Sequence, residues 1–219
     1  MMYYDIHTHK DYKDFKDNDV VSIVNYDSVS CLSLQHSCYS LGLHPWKLSE
    51  ATWPERILFL ETNAAGRNII AIGECGLDKC CDVPWELQEK AFIAQILMSE
   101  KLMKPMIIHC VKAWDEIIAI KKIMQPRQAW LIHGFRGKPE QTEQLIKNGL
   151  LFSFGEKYNE DSLKMTPLNR LFLETDDAGC SIQSIYERVA TLLNMDLHTL
   201  QMQIGENVRM LLNISTLPG

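Results

Sequence analysis

The sequence has no apolar run approaching the roughly 20 residues that a membrane span needs. Its start, Met1-Met2-Tyr3-Tyr4-Asp5, has neither the basic segment nor the apolar stretch of a secretory signal. Low-complexity tracts, linker-like stretches and repeats at solenoid spacing are also missing. The seven cysteines are odd in number and lack paired regular spacing, which argues against a disulfide framework and for reduced thiols. Cys75, Cys80 and Cys81 lie close together, but no second pair follows at zinc-finger spacing, so they read as plain thiols. Positive charge is not in excess either. A net charge of −6 and a pI of 5.6 oppose broad electrostatic adhesion to nucleic acid, so a polynucleotide would have to be held locally. The local cations are Lys10, Lys13 and Lys16 in the first loop, Lys112, and Arg136 with Lys138; Lys13-Asp14 and Lys16-Asp17 alternate in sign and read as a solvated face. These absences lead to the expectation of a cytoplasmic protein with no membrane association and no obligate protein partner.

What is present suffices for one core. At 219 residues and 46% hydrophobic composition, the chain is expected to form a single domain over residues 1–219. Apolar runs alternate with helix-type periodicity from end to end, the pattern of an α/β protein with a parallel sheet. Eight strands are expected: Tyr3–His7, Val20–Tyr26, Tyr39–Leu43, Ile69–Gly73, Pro105–His109, Ala129–His133, Leu150–Phe154 and Arg170–Thr175. Helices are expected over Trp53–Ala65, Pro84–Lys101, Ala113–Met124, Lys138–Asn148, Ser181–Leu193 and His198–Leu212. The connections near Asp11–Asp19 and Asp27–Ser37, and the segment around Asn159–Pro167, are too short or too polar for full helices. The implied fold is a (β/α)8 TIM barrel with some short or missing helices.

Asp5-Ile6-His7-Thr8-His9 carries the chemistry. Side chains two apart on a strand share a face, so both imidazoles and Asp5 project the same way. Further ligand-type residues recur where apolar runs end: Glu74, His109, His133 and Asp176. In a barrel such residues gather at the C-terminal rim, although they are distant in sequence. Six ligands exceed what one four-coordinate ion uses, and they suit two divalent ions sharing a carboxylate. The expected assignment gives His7, His9 and Asp176 to one ion, His109 and His133 to the other, and Glu74 to the bridge. The ions would activate a bridging hydroxide as nucleophile, with Asp176 accepting its proton. Histidine and carboxylate ligands suit zinc, manganese, nickel or iron, and magnesium if waters complete its shell.

The residues resemble the TatD-related metal-dependent hydrolases of the amidohydrolase-like barrel superfamily. The resemblance runs through Asp5-Ile6-His7-Thr8-His9, Leu41-Gly42-Leu43-His44-Pro45, Gly73-Glu74-Cys75-Gly76-Leu77-Asp78, Ile107-Ile108-His109, His133-Gly134-Phe135-Arg136-Gly137 and Leu173-Glu174-Thr175-Asp176. Gln88, Phe92, Gln95 and Glu206-Asn207 fit it as well. It implies a divalent-metal-dependent phosphodiesterase, typically a deoxyribonuclease, acting on a DNA strand end or a small phosphodiester. Lys112 and Arg136 are the expected substrate cations, and Phe135 and Trp46 are expected to stack on a base. His44, before the turn fixed by Pro45, is expected to contact substrate phosphate or support the metal site. Asp78 is expected to orient a metal-binding histidine through its other ring nitrogen. His36 and His198 are assigned nothing. The chain departs from the family after His109, where Cys110-Val111-Lys112 replaces the usual polar and basic run, and its loops are short. Two other readings stay open: hydrolysis of C–N or C–O bonds in a small molecule at the same dinuclear site, and a non-catalytic metal-binding scaffold. A glutamate rather than a lysine on the fourth strand favours the phosphodiester.

Overall fold

The structure, a computed structural model, describes residues 2–10, 19–26 and 38–213. Lys13, Lys16, His36 and nearly all of the first two connections lie outside the described residues. Eight strands form one sheet in chain order: β1 (Tyr3–Thr8), β2 (Val20–Tyr26), β3 (Tyr39–Leu41), β4 (Ile69–Asp78), β5 (Met106–Val111), β6 (Trp130–Ile132), β7 (Leu151–Phe154) and β8 (Leu171–Leu173). The helices are α1 (Trp53–Asn63), α2 (Trp85–Leu102), α3 (Trp114–Met124), α4 (Pro139–Lys147), α5 (Glu160–Met165), α6 (Ile182–Leu192) and α7 (Leu197–Leu212). A parallel bridge between Thr8 and Asp176 brings the chain after β8 back to β1. This is the strand order of a (β/α)8 barrel.

The chain packs as two compact units, residues 1–24 with 132–219 and residues 25–131. In the first, β1 pairs with β2 and β7 with β8, all parallel, over a core that includes Phe135, Phe152, Phe154, Phe172 and Tyr186. The Tyr186 hydroxyl donates to Tyr4 O and accepts from Tyr4 N, both at 3.1 Å, tying α6 to β1. In the second unit β3, β4 and β5 pair in parallel, and α2 lies against β4. Gln88, Phe92 and Gln95 recur at helical spacing on α2 and are all buried. Both glutamines bind backbone: Gln95 holds Leu43 N (2.7 Å) and O (3.2 Å), and Gln88 holds Asp78 N (2.8 Å) and O (3.1 Å).

Four strands end two or more residues from where the apolar pattern predicts, β5 among them, which runs to Val111 beside an extended β4. The strand β3 stops at Leu41 because the backbone of Leu43 is claimed by Gln95 instead of a strand neighbour. β8 stops at Leu173, since Thr175 N donates to the Asp5 carboxylate (2.9 Å) and Asp176 N to His7 O (3.0 Å). β4 runs five residues past Gly73, pairing Gly76 with His109 and Asp78 with Val111 after a register shift. Gly76 makes that extension possible: at φ +144°, a Cβ here would lie 2.0 Å from His109 O. The polar segment after Asn159 holds the six-residue α5, started by the Asn159 side chain accepting from Ser162 N at 3.0 Å.

Candidate active site

In the second unit, β4 delivers Glu74 and Asp78, β5 delivers His109, and a single 3-10 turn over Pro45–Lys47 holds His44 at its start. Glu74 Oε1 lies 3.0 Å from His44 Nε2 and 3.0 Å from His109 Nδ1. The two imidazoles differ in what their other nitrogens do. Trp46 N–H donates to His44 Nδ1 at 3.1 Å, so Nδ1 carries the lone pair and Nε2 carries the hydrogen that faces Glu74. His44 is therefore a hydrogen-bond donor here, because an imidazole cannot offer lone pairs at both nitrogens. His109 Nε2 lies 3.1 Å from Asp78 Oδ2. Donation to that carboxylate leaves the Nδ1 lone pair turned to Glu74 Oε1. Two lone-pair atoms 3.0 Å apart are satisfied by a shared proton or a cation, and the donor set suits a first-row divalent ion.

Asp78 is itself firmly held. Its carboxylate accepts from Trp46 Nε1 (2.6 Å) and from Cys80 N (2.7 Å). Burial pushes its pKa up, but these donors and His109 outweigh it and keep the carboxyl below the usual range.

The first unit gathers a second group. Ligand atoms of His7, His133 and Asp176 lie within 4.8 Å of one another. His7 Nε2 and His9 Nε2 stand 3.7 and 3.5 Å from Asp176 Oδ1, and the His7 and His133 rings are 4.4 Å apart. Asp176 adopts φ +51°, a left-handed conformation that aspartate tolerates better than most residues, and its backbone is fixed to β1. Pattern reading assigned no role to Glu174. It is fully buried, accepts Gly134 N–H at 2.6 Å, and places the same oxygen 3.4 Å from His133 Nδ1. It does for His133 what Asp78 does for His109. Burial pushes its pKa up, yet His133 and His7 keep the carboxyl below its ordinary value. The available signal was strand alternation, which puts Glu174 on the face of Asp176.

Asp5 shares the face of His7 but serves the scaffold. Its oxygens meet Thr175 N (2.9 Å) and Thr175 Oγ1 (2.6 Å), and Thr175 Oγ1 lies 2.9 Å from Thr8 Oγ1, which donates to Asp176 O at 3.3 Å. The Thr175 hydroxyl and N–H both donate to the Asp5 carboxylate, which opposes the effect of burial without cancelling it. Burial pushes the carboxyl up to about 7.

The expected substrate contacts divide. Arg136 is exposed and lines a cleft of about 280 Å3 with Gly134, Glu174, Thr175 and Asp176. Lys112 is exposed just past β5, at φ +54°. Phe135 is a correction: it is 0% exposed, with ring centroids 4.8 Å from Phe152 and 5.8 Å from Phe154, and no base can stack on it. Gly134, at φ +55°, breaks the alternation after His133 and turns Phe135 into the core.

A family model described as TatD related DNase matches residues 20–213. The chain belongs to the TatD-related DNase family. Among TatD relatives, a 3'-5' ssDNA/RNA exonuclease TatD of Erwinia tasmaniensis is 31% identical over 86% of this chain and 85% of its own length. An uncharacterized metal-dependent hydrolase of Haemophilus influenzae is 29% identical over 74% of this chain and 65% of its own. The crystal structure of YJJV, a TatD homolog from Escherichia coli, superposes with a TM-score of 0.79 at 22% identity, covering 97% of this chain and 98% of that one. It has the same barrel fold. Family membership makes this chain a metal-dependent hydrolase acting on ester bonds. No helix among the described residues is long and apolar enough to cross a membrane.

Proposed function

We propose that this protein hydrolyses phosphodiester bonds at the end of a single-stranded nucleic acid, using two divalent cations. One would be held by His7, His133 and Asp176, with His9 beside it, and the other by Glu74 and His109. The carrying observation is the paired construction of these groups. Each joins imidazole to carboxylate, and each has a further carboxylate, Glu174 or Asp78, beside a histidine ring nitrogen, an arrangement that orients the ring. Buried core histidines would need no such second acid. Bound divalent cations would polarise a phosphoryl oxygen and bring the pKa of water towards about 7.

The chain's own residues supply the rest. Asp176 is positioned to take a proton from the attacking water. His44 offers an Nε2 hydrogen, and Arg136 a guanidinium beside Asp176, to substrate oxygens. The substrate class is taken from the Erwinia relative, and the net charge of −6 agrees with gripping a strand end rather than a long duplex.

Metal content, single-stranded DNA hydrolysis and hydrolysis of a generic phosphodiester and an amide test the reading, comparing the parent with Asp176→Asn. About two ions per chain are expected, with metal-dependent phosphodiester cleavage that falls roughly 10²–10⁴-fold in the variant. Cleavage indifferent to metal or to Asp176 would refute the mechanism. Amide cleavage alone would move the substrate to C–N bonds, and bound metal with no turnover would make the protein a scaffold.

A further inference from the structure

We propose that Trp46 is a rigid platform for the nucleobase of the nucleotide next to the cleaved linkage, with the cavity beside it selecting bases that carry an exocyclic amino group. This deepens the nuclease reading and rests on it. Trp46 is 62% exposed although it is among the largest apolar side chains of the protein. A tryptophan serving as a packed lid would bury its ring. Nor is it a loose surface residue. Pro45 fixes the turn that carries it, its Nε1–H is held by Asp78 at 2.6 Å, and the rings of His44 and His109 stand nearly perpendicular to it, with centroids 4.9 and 5.6 Å away. Neither histidine is stacked parallel on the indole. These contacts hold the indole without a ligand, and such pre-organisation is what makes an exposed aromatic an effective stacking surface.

The adjoining cavity, about 490 Å3, defines the occupant. Trp46, Leu48, Val83, Pro84 and Leu87 give it apolar walls, and the exposed Glu50 and Asp82 are its acids. Those carboxylates repel phosphate, so the nucleic-acid backbone does not run here. They attract N–H donors on a flat, uncharged group. Adenine, cytosine and guanine present such donors, whereas thymine lacks the amino group. Because the indole touches the His109 ring, a base on Trp46 sits next to the proposed metal group and not at a remote point of the strand.

The test is a cycle between protein and substrate. Short single-stranded oligodeoxynucleotides carry adenine, thymine or an abasic residue at the terminal position of either end. Trp46→Ala is expected to lower kcat on every substrate through the lost Asp78 bond, and to raise KM about ten-fold or more further on the adenine substrate than on the abasic one, the size of base–aromatic stacking. Trp46→Phe keeps a ring and loses the Asp78 bond, so it should retain most of the base-dependent KM while lowering kcat. Asp82→Asn with Glu50→Gln should shrink the preference for adenine over thymine. A turnover-free reading uses the 15N indole signal of Trp46, assigned by its loss in Trp46→Phe: AMP should shift it and ribose 5-phosphate should not. An equal change in KM by Trp46→Ala on base-bearing and abasic substrates, or an indole signal indifferent to AMP, overturns the proposal. A protein that cleaves no phosphodiester while AMP still shifts Trp46 would defeat the nuclease reading and leave the base site standing.

Discussion

Replacing Asp78 by asparagine changes one atom and disturbs three hydrogen bonds. The carboxylate accepts from Trp46 Nε1, Cys80 N and His109 Nε2, at 2.6, 2.7 and 3.1 Å, and all three partners are donors. An asparagine oxygen placed toward Cys80 turns its NH2 onto the hydrogens of Trp46 and His109. The flipped amide serves those two and faces the Cys80 N–H with another donor. Either way at least one part-buried donor loses its acceptor, costing about 1 kcal/mol of stability. The larger consequence falls on His109, which loses the anion fixing hydrogen on Nε2 and the lone pair on Nδ1. Removing such a carboxylate partner typically weakens metal binding roughly 10–100-fold, or about 1.4–2.7 kcal/mol. The assay is chelator competition on metal-loaded parent and Asp78→Asn, with a thermal melt of each metal-free protein to separate affinity from global stability. One ion should bind 10–100-fold more weakly and the other as in the parent, and the His109 15N shifts should report loss of the single tautomer. Unchanged affinity for both ions with an unchanged tautomer would refute the role given to Asp78.

Two other perturbations address the scaffold. Phe135→Ala empties a site enclosed by Phe152 and Phe154 and should destabilise the protein by about 3–5 kcal/mol in denaturant unfolding, with no change in base preference of the folded fraction; a shifted preference without a stability loss would restore Phe135 as a substrate contact. Asp5 carries a pH dependence. Its carboxyl titrates at about 7 when folded and about 3.9 when unfolded, so the folded state holds the proton more tightly. The stability this contributes is fully present below about pH 4 and is lost as pH rises through about 7, an effect of roughly 4 kcal/mol. Asp5→Asn should flatten that part of the stability–pH curve measured by urea unfolding, and an unchanged slope would assign the dependence elsewhere.

The barrel and the histidine- and carboxylate-bearing ends of its apolar runs were legible because both follow from short-range rules. Apolar runs on doubly covered strands stop where a polar side chain begins, and His7, Glu74, His109, His133 and Asp176 each stand at such a stop. What escaped depends on distant partners. Gly73 reads as the end of β4, yet glycine here permits a bulge and five more residues of pairing that carry Asp78 beside His109. Phe135 follows His133 by two, which in an unbroken strand would put both on one face; the positive φ of Gly134 cancels the alternation. Glu174 lay within a matched segment, but its work becomes visible only when Gly134 and His133 arrive at its carboxylate from 40 residues away.

His44 and His109 show most sharply where residue type stops determining role. Both are histidines beside β-strand ends, and both approach Glu74 Oε1 to 3.0 Å. The difference lies in the partner of the second nitrogen. For His44 that partner is a donor, the N–H of Trp46, supplied by the turn that Pro45 sets, so its remaining nitrogen must carry a hydrogen. For His109 it is an acceptor, Asp78, so its remaining nitrogen is left with a lone pair. One imidazole is thereby fitted to donate to a carboxylate or a substrate oxygen, and the other to ligate a cation. Trp46 acts on both at once: its backbone N–H sets the first ring, and its indole N–H helps hold the carboxylate that sets the second. Exchange of Trp46 for another residue therefore reaches the proposed metal group through Asp78 even where the stacking surface is kept, which is why Trp46→Phe and Trp46→Ala must be compared and neither variant alone separates the two proposed functions.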